Sequence, residues 1–268
     1  MDLKSAFGCH TVPFTREIPL DSLYPLALFD QARDGILRAI EKRSSAALIA
    51  AAGSGKSTVL RATLERLPDA RYVKHYVKCT DIGKRDMCRE IARVAGVSPA
   101  GSFPALLHHL QEKFEGTLVD LGRRPVLVLD EAHDLRADVL SMLRVVTNFQ
   151  MDSRLVLSVI LAGQPDLATR LARDDQDAVA RRIVHYATLR PLSRDEIARY
   201  VEHRITVAGA RQSPFDAGAL DAIFEIGRGN LRATDNLSLE SLELAAAQKL
   251  QTVGAQHVAA ARKSLWPS

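Results

Sequence analysis

A short apolar run at residues 46–50 leads into the loop sequence GSGKS at residues 53–57, and leucines at helical spacing begin directly after it. Glycines let consecutive backbone N–H groups of such a loop converge on one anion, and the amino end of the following helix adds partial positive charge. The Lys56 ammonium would reach the β- and γ-phosphates of a nucleotide, and the Ser57 hydroxyl would bind Mg²⁺. The order of strand, glycine loop and helix therefore predicts a P-loop that holds ATP and Mg²⁺.

One position departs from the usual P-loop pattern, because Ala50 stands where its first glycine is expected. Alanine is the smallest side chain after glycine, so we expect the end of the strand to tolerate it. Two interpretations stay open: an ATPase with an intact phosphate cradle, and a nucleotide-binding switch with negligible turnover.

A second apolar run at residues 126–129 ends in Asp130 and Glu131. Such an unbroken run is typical of a strand buried on both faces, and its end would place two carboxylates beside the P-loop. Asp130 would hold the hydrated Mg²⁺, and Glu131 would polarise the water that attacks the γ-phosphate. This is the pattern of a Walker B pair. The predicted nucleotide contacts, with Ser57 and Asp130 as metal ligands, are Gly53, Ser54, Gly55, Lys56, Ser57, Thr58 and Asp130.

Strand and helix patterns alternate along the first 190 residues, which indicates an α/β fold. Besides the two runs above, strands are expected at residues 72–79, 155–161 and 183–189. Five strands would form a mostly parallel sheet with helices on both faces. The Walker B strand is expected to adjoin the P-loop strand.

The chain changes character after Pro191, where helical patterns broken by glycines follow one another without a strand pattern. Ser193 and Glu196 form a capping-box sequence at the first of these helices. We therefore predict three parts: an extended arm at residues 1–25, a nucleotide-binding core at 26–190, and a small all-helical lid at 191–268.

Bulk composition excludes several classes of protein. The net charge of +4 and a pI near 9.0 suggest a mild attraction to polyanions. Three cysteines, an odd number without zinc-ligand spacing, predict a reducing, cytoplasmic location. Apolar runs are far shorter than the ~20 residues of a membrane span, so no membrane association is expected.

Further polar residues stand where the chemistry of hydrolysis would need them. Gln164 follows the fourth predicted strand and would contact the γ-phosphate or the attacking water. Arg181 and Arg182 precede the last strand, and Arg232 lies in the lid. Guanidinium groups neutralise charge that develops during phosphoryl transfer, although a solvated surface position is the other interpretation of each arginine.

Taken together, these motifs resemble the AAA+ family that includes the general-secretion ATPase ExeA and transposition helper ATPases such as MuB, IstB and TnsC. The resemblance is carried by the P-loop and by these further segments: FG at residues 7–8, PF at 13–14, LDEAH at 129–133, LR at 143–144, TN at 147–148, LAGQPDL at 161–167, RI at 182–183, GNLR at 229–232 and NL at 236–237. By similarity, Gln164 is sensor 1, Arg182 the arginine finger acting on a neighbouring subunit, and Arg232 sensor 2. Leu231 stands where the family usually has proline before the sensor 2 arginine.

The resemblance also implies partners. Transposition helpers assemble on double-stranded DNA as rings or filaments in the ATP state and act on a transposase, whereas secretion ATPases carry a membrane span after the ATPase core. A chain ending soon after Trp266 favours the transposition branch. Four cations around the end of the second strand are predicted to face DNA phosphates, with a solvated strand edge as the other interpretation: Lys74, Lys78, Lys84 and Arg85. A soluble ATPase that assembles a secretion or envelope complex is the alternative function.

Overall fold

A computed structural model describes residues 3–266 of the 268-residue chain. Residues 1–2 and 267–268, the ends of the predicted arm and lid, lie outside the described residues. Five strands form one sheet: β1 (Ser45–Ala50), β2 (Tyr72–Lys78), β3 (Arg124–Asp130), β4 (Ser158–Gly163) and β5 (Ile183–Leu189). The predicted strands are confirmed to within a few residues.

The strands lie in the order β2-β3-β4-β1-β5, and every neighbouring pair is parallel. The expectation that the Walker B strand adjoins the P-loop strand is wrong, because β4 lies between β3 and β1. Strand order in a parallel sheet depends on how the crossover helices pack, which apolar runs in the sequence do not specify. The carboxyl ends of all five strands nevertheless meet at one edge, where β1 leads into the P-loop and β3 ends at Asp130.

Twelve helices surround or follow the sheet within the described residues. They are α1 (Leu3–Phe7), α2 (Ala27–Glu41), α3 (Lys56–Glu65), α4 (Lys84–Ala95), α5 (Phe103–Val119), α6 (Ala137–Val146), α7 (Pro165–Leu171), α8 (Asp177–Ala180), α9 (Arg194–Val207), α10 (Ala217–Gly227), α11 (Leu231–Ala247) and α12 (Ala255–Leu265). Within residues 3–266, none of them combines the length and hydropathy that a bilayer crossing requires.

Alternate residues of β1 point into two separate cores, as the period of two in a strand dictates. Ala47 and Ile49 pack in the core on the side of α4 to α7. Ala46, Leu48 and Ala50 pack in the core on the side of α2 and α3. Burial of both faces explains why β1 and β3 are almost entirely apolar.

The chain folds into two compact units. One contains residues 27–52 and 56–189 and carries the sheet with α2 to α8. The other contains residues 1–26, 53–55 and 190–268 and is helical. Its first segment is not extended throughout as predicted, because α1 forms at Leu3–Phe7 and a 3₁₀ turn at Leu20–Ser22. Its helix α9 begins with the predicted capping box, in which Ser193 accepts from the Glu196 backbone N–H and Glu196 accepts from that of Ser193.

Candidate active site

Lys56 lies between the two carboxylates at the end of β3. Its Nζ is 2.8 Å from Glu131 Oε2 and 3.9 Å from Asp130 Oδ1. The Lys56 side chain is only 7% exposed, so it contributes a positive charge in a setting with little water. The structure therefore brings together the P-loop lysine and both Walker B acids, which are 74 and more residues apart in the sequence.

Glu131 is held as an ionised carboxylate. Burial raises the pKa of Glu131, but the hydrogen bond and charge of Lys56 outweigh it and keep this pKa below its ordinary value. Its backbone adopts φ 55° and ψ 36°, in the left-handed region that non-glycine residues seldom occupy. Unusual backbone of this kind concentrates at functional sites, where it aims a side chain.

Asp130 is fixed by two hydrogen bonds that the sequence did not reveal. Its Oδ1 accepts from the Glu131 backbone N–H at 2.9 Å, and its Oδ2 accepts from the Tyr76 hydroxyl at 2.9 Å. Burial, followed by this bond to Asp130, raises the pKa of Tyr76 to about 12, so the phenol stays protonated at neutral pH. The register of β2 beside β3, with Lys78 opposite Asp130, brings Tyr76 within reach.

Gln164 follows β4 and contacts a residue next to the Walker B pair. Its Nε2 lies 2.6 Å from His133 Nε2, and His133 Nδ1 lies 3.4 Å from Glu131 Oε2. The chain of side chains Gln164, His133 and Glu131 thus joins the position expected for a sensor to the expected catalytic acid. Sequence reasoning placed His133 only within a family motif and assigned it no role.

The start of α3 presents hydroxyl groups. Ser57 is exposed and Thr58 is half-buried, while Ser54 in the loop before them is buried. Hydroxyl and carboxylate oxygens are the ligands that Mg²⁺ prefers, so Ser57 and Asp130 are chemically suited to hold this ion. Among residues 3–266, no cluster of three histidine, cysteine or acidic residues suggests any other metal site.

Within the helical unit, Gly53 meets the start of α11. Its carbonyl accepts from the Arg232 backbone N–H at 3.1 Å, and its φ is +78°. A Cβ at this position would lie 2.5 Å from Asn230 Oδ1, so only glycine fits. Arg232 itself is exposed in the first turn of α11.

Arg182, the predicted arginine finger, lies between α8 and β5 and is engaged by its own chain. Its Nη2 contacts both carboxylate oxygens of Asp152 at 2.5 Å, and its side chain is 21% exposed. Arg181 is 79% exposed and pairs with Asp177 at 2.8 Å. Asp152 was not anticipated, and it occupies a loop in which Gln150, Met151 and Asp152 all have positive φ.

The four cations predicted to face DNA have different surroundings. Lys74 donates to the carbonyls of Leu64 and Leu67 at the end of α3 and pairs with Asp69 at 2.6 Å. A lysine that caps the carboxyl end of a helix makes contacts of this kind.

The other three of these cations are exposed. No hydrogen bond or ion pair within residues 3–266 engages the Lys78 ammonium. Lys84 Nζ lies over the Phe103 ring at 5.2 Å, and Arg85 donates to the Gly101 carbonyl at 3.1 Å. DNA contact stays a prediction for all four.

Comparison with known proteins places this geometry in a family. A family model described as an AAA domain matches residues 38–171. The General secretion pathway protein A of Aeromonas hydrophila is 31% identical over 185 residues, an alignment that covers 66% of this chain and 32% of that protein. The chain therefore spans about a third of the length of this relative.

Solved structures with the same fold are less similar in sequence. Cdc6p from Pyrobaculum aerophilum has a TM-score of 0.77 at 18% identity, covering 100% of this chain and 72% of that chain. ORC1 from Aeropyrum pernix, solved in complex with DNA, has a TM-score of 0.69 at 18% identity, and the match covers 94% of this chain and 68% of that chain. The RuvB Holliday junction branch migration motor of Thermotoga maritima has a TM-score of 0.59 at 17% identity, and the match covers 94% of this chain and 73% of that chain. With the AAA model matching half of its residues and a five-stranded P-loop sheet, the chain belongs to the AAA domain family and has the AAA+ fold.

Proposed function

We propose that this protein binds ATP with Mg²⁺ and hydrolyses it to ADP and phosphate. The observation that carries the proposal is the placement of Lys56 2.8 Å from Glu131 and 3.9 Å from Asp130. Phosphoryl transfer needs one cation for the phosphates, one acid for the metal and one acid for the water. These three side chains meet that need at the carboxyl edge of one sheet.

The ion pair between Lys56 and Glu131 gives the site two states. When the phosphates of ATP draw the Lys56 ammonium to themselves, the Glu131 carboxylate loses its partner and becomes available to a water molecule. Glu131 then orients that water and accepts its proton as the water oxygen bonds to the γ-phosphorus and the bond to the β-phosphate oxygen breaks. Asp130 and Ser57 would hold Mg²⁺, which when bound would supply positive charge to the phosphate oxygens.

Two substitutions separate binding from hydrolysis. Lys56→Ala removes the cation of the cradle, and we expect ATP affinity to fall by at least about tenfold because a charge-assisted contact is worth roughly 1.5–3 kcal/mol. Glu131→Gln keeps the volume of the side chain, and we expect nucleotide binding to persist while phosphate release falls by at least about a hundredfold.

Equilibrium binding of a fluorescent ATP analogue and steady-state phosphate release measure the two effects. Glu131→Asp is the matched control, since it keeps the charge and should retain part of the turnover. A wild type that releases phosphate no faster than Glu131→Gln, even at high protein concentration and with DNA, would identify the protein as a nucleotide-binding switch.

We further propose that the ATP-bound protein assembles on double-stranded DNA and assists a transposase in the cytoplasm. Three observations support DNA binding. The chain has a net positive charge, Lys78, Lys84 and Arg85 are exposed, and the fold is similar to that of a DNA-bound ORC1. Three unpaired cysteines are in keeping with a reducing compartment. The transposase rests on the family resemblance alone.

A second candidate is an ATPase that assembles a secretion or envelope complex. The relationship to the General secretion pathway protein A, at 31% identity, favours it specifically. ATP-dependent retention on duplex DNA separates the two functions. A protein that assists a transposase is expected to show it, whereas an ATPase that assembles a secretion or envelope complex has no need to bind DNA.

The double variant Lys84→Ala, Arg85→Ala tests the DNA surface. If both cations contact phosphates, affinity for duplex DNA falls uniformly across sequences, and the slope of log K against log salt decreases by about 2. Filter binding with a non-hydrolysable ATP analogue over 50–200 mM salt measures both. Arg89→Ala, Arg93→Ala is the matched control: it removes the same charge from α4, but these arginines already pair with Asp86 and Glu90. Equal affinity for wild type and the first variant would reject the assignment.

A further inference from the structure

One buried nitrogen beside the candidate site makes no hydrogen bond. His133 Nδ1 is buried, and within residues 3–266 it has no hydrogen-bond partner. It lies 3.4 Å from Glu131 Oε2, although the two groups are not aligned for a hydrogen bond. A buried polar atom without a partner costs free energy, and in a native structure such an atom calls for an explanation. The carboxylate that it faces indicates what this partner is in another state of the site.

Gln164 decides which ring nitrogen of His133 carries the hydrogen. His133 Nε2 lies 2.6 Å from Gln164 Nε2. An amide nitrogen donates hydrogen bonds and does not accept them, so His133 Nε2 is the acceptor. The imidazole hydrogen is then on Nδ1, the atom that faces Glu131. Without this bond the hydrogen would be free to move to Nε2, where Asp134 Oδ1 lies 3.6 Å away, and the lone pair of Nδ1 would face the Glu131 carboxylate.

The turn that carries His133 is packed closely against the end of β4. A Cβ at Gly163, the last residue of β4, would lie 3.1 Å from the His133 backbone nitrogen. Arg170 on α7, the helix that begins directly after Gln164, donates to the Leu135 carbonyl at 2.6 Å. The turn and the start of α7 are therefore tied together on both sides of the bond between Gln164 and His133.

Lys56 occupies the carboxylate oxygen that His133 faces. Its Nζ lies 2.8 Å from Glu131 Oε2, the same atom that lies 3.4 Å from His133 Nδ1. When the phosphates of ATP draw the Lys56 ammonium away, this oxygen is left with the Nδ1–H group beside it. A shift of about half an ångström then gives a hydrogen bond of ordinary length. The other oxygen of Glu131, Oε1, is left for the attacking water.

We propose that His133 is a positioning residue for ATP hydrolysis, which takes over the Glu131 carboxylate when Lys56 turns to the phosphates. The inference rests on the proposed hydrolysis. A general base is effective only when it is held in the geometry that meets the proton it accepts. His133 Nδ1–H holds Oε2 of Glu131, while Oε1 accepts the proton of the water. Gln164 acts through His133, because it sets the tautomer, and this action needs no contact between Gln164 and the nucleotide.

Two amide substitutions separate the roles of the two ring nitrogens. The amide nitrogen of asparagine can take the place of Nδ1, whereas that of glutamine takes the place of Nε2. We expect His133→Gln and His133→Ala to lower kcat at least about tenfold, the order of one hydrogen bond to a charged group, with ATP affinity unchanged. His133→Asn should recover part of this loss, because it keeps a donor for Glu131. His108→Asn, at an exposed histidine of α5, is the matched control and should keep wild-type kcat.

A double-mutant cycle tests the path from Gln164 to Glu131. If Gln164 acts through His133, the substitution Gln164→Ala lowers kcat several-fold in wild type but has no further effect in His133→Asn, since asparagine has no tautomer to set. Two residues that act independently would instead give effects that multiply. Steady-state phosphate release at saturating ATP and Mg²⁺ supplies the four rates.

Nitrogen NMR of protein labelled with ¹⁵N-histidine gives a readout that does not depend on activity. The signals that disappear in His133→Asn belong to His133, and their shifts show which ring nitrogen carries the hydrogen. At mildly alkaline pH, where an imidazole is neutral, we expect the hydrogen on Nδ1 in wild type. In Gln164→Ala we expect it to be on Nε2 or shared between both nitrogens.

Three results would overturn the inference: wild-type kcat for both His133→Gln and His133→Ala, effects of Gln164→Ala and His133→Asn that multiply, or the hydrogen on Nε2 in wild type. Binding of a fluorescent ATP analogue verifies that each variant is folded. If the alanine variant does not fold, the asparagine and glutamine variants decide. Failure of the proposed ATPase activity is separately recognisable, because wild type itself would then release no phosphate, while the NMR signals would still report the tautomer.

Discussion

At the scale of single residues, the candidate site consists of charged groups that restrain one another. Lys56 is held by Glu131, and Asp130 is held by the Tyr76 hydroxyl and by the backbone of Glu131. Hydrogen bonds to a metal-binding carboxylate fix its orientation and thereby raise its affinity for the ion. Tyr76 is therefore expected to be a positioning residue that acts through Asp130.

Tyr76→Phe tests this role with little change in volume. Loss of the 2.9 Å bond to Asp130 leaves the carboxylate less well oriented, and we expect the half-saturating Mg²⁺ concentration for ATP hydrolysis to rise about tenfold. A Mg²⁺ titration of steady-state phosphate release measures it. Tyr186→Phe is the matched control, because Tyr186 lies on the opposite edge strand and is exposed to a similar extent, 46% against 47%. An unchanged Mg²⁺ requirement in Tyr76→Phe would show that the phenol does not position Asp130.

At the scale of secondary-structure elements, a polar cluster joins three segments of the helical unit. Tyr200 and Arg204 on α9 contact Asp235 on α11, and Arg204 Nη2 also donates to the Thr15 carbonyl of the N-terminal segment at 2.7 Å. The Arg204 guanidinium lies 5.5 Å from the centroid of the Phe14 ring. One largely buried guanidinium thus ties the N-terminal segment to α9 and α11, which explains how a stretch rich in proline is held in place.

This cluster gives the helical unit a pH-dependent stability. Burial raises the pKa of Asp235 to about 6, despite the charge of Arg204 and the hydrogen bond from Tyr200. Because the folded state holds the proton more tightly than the unfolded chain, the contribution of Asp235 is fully present below its unfolded pKa near 3.8. It is lost as the pH rises through 6.

Comparison with Asp235→Asn isolates the effect, since asparagine does not titrate. We expect the free energy of unfolding of wild type minus that of the variant to fall by about 2 kcal/mol between pH 4.5 and 7.5. Denaturant titrations at intervals across this range supply both values. Asp221→Asn removes an acid of the same unit that lies outside this polar cluster, and is the matched control. Parallel curves for wild type and Asp235→Asn would contradict the assigned titration.

At the scale of the whole molecule, the chain forms two compact units, and the one made of residues 27–52 and 56–189 carries the sheet together with Lys56, Asp130 and Glu131. The Arg182 carbonyl accepts from the Ser45 backbone N–H at 3.3 Å, where β1 begins, whereas Lys56 follows the other end of β1. If Arg182 is the arginine finger that the family resemblance implies, it therefore serves the nucleotide of a neighbouring copy. Specific ATPase activity is then expected to rise with protein concentration, because assembly brings this arginine to the nucleotide.

Local patterns were enough for the elements, and they also supplied the residues that we propose for the site. The apolar runs that form β1 and β3 are buried on both faces, so their unbroken apolar composition is enough to predict them as strands. Lys56, Asp130 and Glu131 were assigned because each stands at a fixed offset from such a run. The capping box at Ser193 and Glu196 was equally readable, since both of its hydrogen bonds lie within four residues.

Contacts between distant segments were decided by the tertiary structure. The insertion of β4 between β3 and β1, the bond from Tyr76 to Asp130, and the pairing of Asp152 with Arg182 join residues 30 or more positions apart. An isolated sequence constrains such pairs only weakly, because strand order and side-chain partners depend on how helices pack over the sheet. By itself the sequence determined the five-stranded sheet, the glycine loop after β1 and a helical C-terminal region. Only the fold decided the order of the strands and which groups contact the two acids at the end of β3.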